Sequence, residues 1–142
     1  MTKLEQVLGA LLAALQGITG PTVERNLDLP EALPAGGLLV LRDGSGQVTD
    51  TVLSPLTYLH ERTAEVEVIV AGEDAATRDA ALDALLVAID AAIAADRTLG
   101  GLAEWAEPAP PDTEGLATEG APGIKAALVP IVVNYASASA LG

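Results

Sequence analysis

Tyr58-Leu59-His60-Glu61-Arg62-Thr63-Ala64-Glu65-Val66-Glu67-Val68-Ile69-Val70-Ala71 is the stretch on which the fold turns. Ala64, Val66, Val68 and Val70 fall on one side of an extended chain, and Thr63, Glu65, Glu67 and Ile69 on the other. A period of two with small aliphatic residues on one side predicts a strand in a sheet with one covered and one polar face.

The segments around this strand supply its cover and its neighbours. Downstream, residues 74–96 predict a helix with Asp74 as N-cap and a stripe of Leu82, Leu85, Leu86, Ile89 and Ile93. Asp74 and Asp79 near its start and Arg97 just past its end suit the helix dipole, and Gly100-Gly101 is expected to stop it. Upstream, residues 2–16 predict a first helix through Leu4, Val7, Leu8, Leu11, Leu12 and Leu15. Thr2 and Glu5 match a capping box, and Gly17, Gly20 and Pro21 end the helix. A short extended piece at Val23–Leu27 and a proline-bracketed loop at Pro30–Gly37 come next. Leu38–Arg42 reads as a strand, Asp43-Gly44-Ser45-Gly46 as its hairpin turn and Val48–Leu53 as the returning strand. Near the C-terminal end, Leu102–Glu107 and Lys125–Tyr135 predict two more strands. Pro130 implies that the second of these lies at an edge or is bulged. Between them Pro108–Gly123 holds four prolines, three glycines and the acids Asp112, Glu114 and Glu119. Nothing in that loop can build a core, and a loop of this length in a compact domain is expected to be either functional or disordered. The expectation is one α+β domain over residues 1–142. Two helices pack on one face of a mainly antiparallel sheet, with a long loop between the last two strands.

Composition narrows the functions. The 142 residues include Trp105, Tyr58 and Tyr135 as the only aromatics and no cysteine, so the core must be Ala, Leu, Val and Ile. Such a core is modest for a monomer, and association with further subunits would add stability. Without cysteine there is neither a disulfide framework nor a thiolate metal site. Twenty acidic against seven basic residues give a net charge of −13, and the basic residues are scattered. Specific nucleic-acid binding and docking on an anionic membrane both need clustered Lys and Arg, so neither is expected. No apolar run reaches the length of a membrane span. Val7–Leu15 lacks the basic flank and cleavage site of a signal peptide, so a cytoplasmic site of production is expected.

Candidate chemical sites are weak. Asp43–Thr49 resembles the middle of a calcium loop, but aligning Gly46 with that loop's glycine puts Leu41 and Val52 where the end carboxylates belong. His60 is the only histidine and has no evident nucleophile or orienting acid, which leaves it as a surface or interface residue. Asp79 and Asp83 lie one helical turn apart but off the apolar stripe, as on a solvated face. Glu65 and Glu67 share a strand face without the aromatic cleft a glycosidase needs, which reads as the sheet's polar side or an interface rim. Trp105 divides evenly between a core role and a subunit contact. No catalytic residue, metal or cofactor is expected. The interface candidates are Trp105, Glu65, Glu67, Asp112, Glu114 and Glu119.

Taken in order, these segments resemble a known family. After the amphipathic N-terminal helix come Val23-Glu24-Arg25-Asn26 and the proline loop Leu29-Pro30-Glu31-Ala32-Leu33-Pro34. The strand Tyr58–Val68 runs into an Asp/Ala-rich helix, and the chain closes with Gly123-Ile124-Lys125-Ala126-Ala127-Leu128-Val129-Pro130-Ile131-Val132-Val133-Asn134-Tyr135. This order is similar to that of the tail terminator (tail completion) proteins of long-tailed phages and gene transfer agents. The resemblance implies a structural virion protein of the tail and neck, assembled in the host cytoplasm. It implies a homo-oligomer, a hexameric ring, that caps the tail tube, stops its polymerisation and joins it to the head connector. DNA would pass through the lumen without specific binding. Another head–tail joining or tail-tube protein is the nearest alternative, and a small soluble ligand-binding module is the alternative of a different class.

Overall fold

The computed structural model describes residues 1–28, 32–113 and 123–142. Its elements run α1 (Lys3–Gln16), β1 (Thr22–Arg25), β2 (Leu38–Leu53), β3 (Leu56–Ala71), α2 (Ala75–Ala95), β4 (Trp105–Pro108) and β5 (Ile124–Ser137). The five strands form one sheet in the order β1-β2-β3-β5-β4. β1 runs parallel to β2, and every other pairing is antiparallel. The α+β class, the mainly antiparallel sheet, both helices on one face and the long connection before the last strand are as the sequence predicts.

The alternation in β3 places the core. Ala64, Val66, Val68 and Val70 are buried with Leu39 and Leu41 of β2 and Val129, Ile131 and Val133 of β5. Over them lie Val7, Leu8, Leu11 and Leu15 of α1 and Leu82, Leu85, Ile89 and Ile93 of α2. Each buried Leu, Ile or Val contributes about 1.5–3 kcal/mol. Tyr135 is the one aromatic ring in this cluster. On the opposite face, Leu38, Val40 and Ile69 form a smaller cluster against Leu27, Leu33 and Ala126.

Caps differ in detail from expectation. Thr2 Oγ1 accepts from Glu5 N at 3.1 Å, one half of the capping box. The Glu5 carboxylate instead takes a two-pronged bond from Arg25 at 2.6 and 3.0 Å, which ties α1 to β1. Asp74 caps α2 by accepting from Thr77 N at 2.7 Å. That helix ends at Asp96, before the glycines, because the Asp96 carboxylate accepts from Thr98 N and Gly100 N and holds a turn. The turn delays β4 to Trp105–Pro108, short of the predicted Leu102 start.

Two strand predictions need correction. Asp43–Gly46 is not a hairpin turn. β2 runs straight through it, and the chain reverses at Ser54-Pro55, between the facing residues Leu53 and Leu56. Gly44 (φ 67°) instead sits in a bulge where the register slips between Arg42 and Ser45. A Cβ there would collide with the Thr63 carbonyl, so glycine is what the bulge requires. β5 is neither an edge strand nor bulged, since it pairs with β3 in unbroken register from Tyr58↔Ser137 to Ala71↔Ile124. Pro130 fits because its carbonyl, and hence its missing N–H, points toward the β4 side. There Ala109 N donates to Pro130 O at 2.8 Å just beyond the end of β4.

Candidate functional site

The β2–β3 hairpin outgrows the body of the protein. β1 covers β2 only from Leu38 to Leu41, and β5 reaches along β3 only as far as Tyr58. Only Val52–Thr57 extend past both of these neighbours, and along the hairpin Gly44–Leu56 are all exposed. The arm carries Val48, Val52, Leu53 and Leu56 into solvent, with Leu53 81% exposed at the tip. Between Gln47 and Leu59 the only charged residue is Asp50. The outer edge of β2 beyond Leu41 has no strand beside it among the described residues, and two register slips, at Arg42/Ser45 and Val48/Asp50, interrupt that edge.

At the arm's root, an ion cluster fixes β1, β2 and α1 together. Arg25 Nε bonds Asp43 Oδ1 at 2.9 Å while its other nitrogens hold Glu5, and Asn26 adds a second donor to Asp43 at 3.1 Å. The hydrogen bonds from Arg25 hold the carboxyls of both Glu5 and Asp43 below the usual carboxylate range. Across the sheet, Arg62 donates to the carbonyls of Asp43 and Gly44 at 2.9 and 3.1 Å and braces the bulge.

The helix-free face of the sheet collects four of the six interface candidates. Trp105 pairs with Asn134, and Asn134 with Glu61, so Trp105 shares a face with Glu61, Glu65 and Glu67. Asp112 bridges Leu128, the partner of Glu67, at the rim of the same face. Arg42 lies across from Glu67 at 3.4 Å. Trp105 is 47% exposed, with the Arg97 guanidinium 4.9 Å from its ring centre. A core role for Trp105 is therefore excluded, because Ala106 takes the inward position on β4. Glu114 and Glu119 lie outside the described residues.

His60 is not a surface residue. Its ring stacks on Tyr135 at 4.8 Å, and Nε2 lies 2.8 Å from Ser137 Oγ and 3.1 Å from Ser139 O. Ser137 Oγ donates to Ser139 O at 2.7 Å, so the imidazole and the hydroxyl both hold the C-terminal turn in place. The signal was present in the sequence: His60 has the same strand parity as Ala64 and Val66, which marks the covered face. Burial also raises the Tyr135 phenol pKa. Asp79 pairs with Lys125 at 2.6 Å while Asp83 is exposed, so the two do not converge. Among the described residues, no group of three His, Cys, Asp or Glu side chains could hold a metal, and no helix is long and apolar enough to cross a membrane.

No family model matches the chain, and no curated protein matches it.

Proposed function

We propose that this chain is a structural subunit that works by self-assembly, a tail-terminator-like ring protein of a phage or gene transfer agent. The observation that carries the self-assembly reading is the arm. A hairpin that leaves two leucines and two valines partly or largely in water, with one charge along its length, has no packing cover for them among the described residues. Covering those side chains on another protein returns the free energy their exposure forgoes, about 1.5–3 kcal/mol for each one fully buried. The terminator identity is supported by the sequence resemblance, with which the α+β architecture agrees.

In this reading the mechanism is steric and electrostatic. The ring offers one face that fits the tail tube and one that does not, so growth stops. The helix-free face, with Glu61, Glu65, Glu67 and Glu107, is the candidate lumen or tube-facing surface. Carboxylates there would let DNA pass without gripping it. Electron microscopy of particles assembled without the protein tests the role. Tails of uncontrolled length support it, and tails of normal, uniform length refute it. The purified protein should form closed rings; long cylinders would identify a tube protein instead.

A further inference from the structure

The arm tip and an apolar cleft lie at opposite ends of the same two strands. The cleft has a volume of about 420 Å3 and opens where β2 begins and β3 ends. Gly37, Val70 and Ala71 form its floor. Ala81, Ala84 and Leu85 of α2 form one wall, and the Thr19–Pro21 turn and the Leu33–Gly36 loop form the other. Among the described residues none that lines it is charged, in a chain of net charge −13. From Leu53 back to Leu38 the strand spans on the order of 45 Å, so a molecule's own tip cannot reach its own cleft.

We infer that the hairpin tip of one copy, led by Leu53 and Leu56, seats in this cleft on the next copy, in a head-to-tail contact. The inference rests on the self-assembly reading above and names the surfaces that carry it. Three observations select a second copy as the occupant. The tip carries no charge and neither does the described lining of the cleft, so the two can meet without the repulsion that a net charge of −13 sets between copies. The cleft has room for the two leucine side chains. Side-by-side pairing of two arms is opposed by the two register slips along the edge of β2. A contact between two different surfaces propagates in one direction and closes into a ring when the rotation between copies allows it.

The chain contains no cysteine, so introduced thiols report without background. A Leu53→Cys, Ala84→Cys double variant treated with a short bismaleimide should give a ladder of covalent oligomers, while each single variant gives none. Ala84 is exposed on α2, so folding tolerates the change. A second experiment uses Leu53→Asp with Leu56→Asp as an arm-defective chain and Ala84→Glu as a cleft-defective one. Each alone should stay monomeric, and an equal mixture should stop at a one-to-one dimer, the signature of a two-surface contact. Cross-linking of Leu53→Cys with itself as efficiently as with Ala84→Cys overturns the inference in favour of arm-to-arm pairing. So does parent protein that assembles while the double variant gives no ladder, an outcome that leaves the terminator reading standing. Parent protein that is monomeric at every concentration sinks both.

Discussion

Arg25, Gly44 and His60 each do work at the root of the arm that composition does not reveal. Arg25 lowers the pKa of two carboxyls, so its contribution to stability is complete above the ordinary carboxylate value of about 4. It is lost as the pH falls through the depressed folded-state values. Arg25→Met should therefore destabilise most at neutral pH. In urea titrations the gap between variant and parent should narrow as the pH falls below about 4, and a gap independent of pH would deny the cluster any role through charge. Gly44→Ala should cost roughly 2 kcal/mol, read by the same titration, because its positive φ and the Thr63 carbonyl leave no place for a methyl group. At this scale the sequence was only partly legible. Thr2 and Asp74 announced themselves as caps by residue type and spacing. The fate of Glu5 was hidden, since its partner Arg25 is 20 residues away and reaches it only once β1 is in place. The stacking of His60 on Tyr135 is likewise a consequence of strand register, which no local pattern displays.

Elements were easier to read where periodicity spoke and harder where turn chemistry did. The stripes of α1 and α2 and the alternation of β3 fall where the buried residues lie. Asp43-Gly44-Ser45-Gly46 misled because glycine-rich polar segments serve bulges as well as hairpin turns, and only the pairing partner distinguishes them. The actual reversal at Ser54-Pro55 sits among apolar residues and so carried little signal. Two predictions belong at this level. Ile89→Ala, at the fully buried centre of α2, should cost about 2–5 kcal/mol in denaturant unfolding. By contrast, Leu53→Asp with Leu56→Asp should change stability by less than about 0.5 kcal/mol and yet abolish self-association in sedimentation velocity. Loss of folding in that variant would mean that the arm is part of the core.

For the molecule as a whole, charge and shape oppose each other. Thirteen net negative charges repel neighbouring copies, while an apolar arm tip and a cleft whose described lining is uncharged invite them together. Association should accordingly strengthen as salt screens the repulsion. Light scattering at low and high ionic strength should show larger assemblies at high salt, and the reverse trend would point to a contact built from ion pairs. The acidic balance and the scarcity of aromatic rings were visible from composition alone. The opposition of arm and cleft across the length of the sheet was not, because it appears only when β2 and β3 are seen to run unbroken between them. The lone indole, half in water on the helix-free face, has a practical corollary. Its fluorescence is a single-site gauge of that face, remote from the hairpin tip. Ring closure through the arms should leave its emission colour unchanged, whereas a tube or connector settling over Glu65 and Glu67 should shift it to the blue, so one optical channel separates the two events.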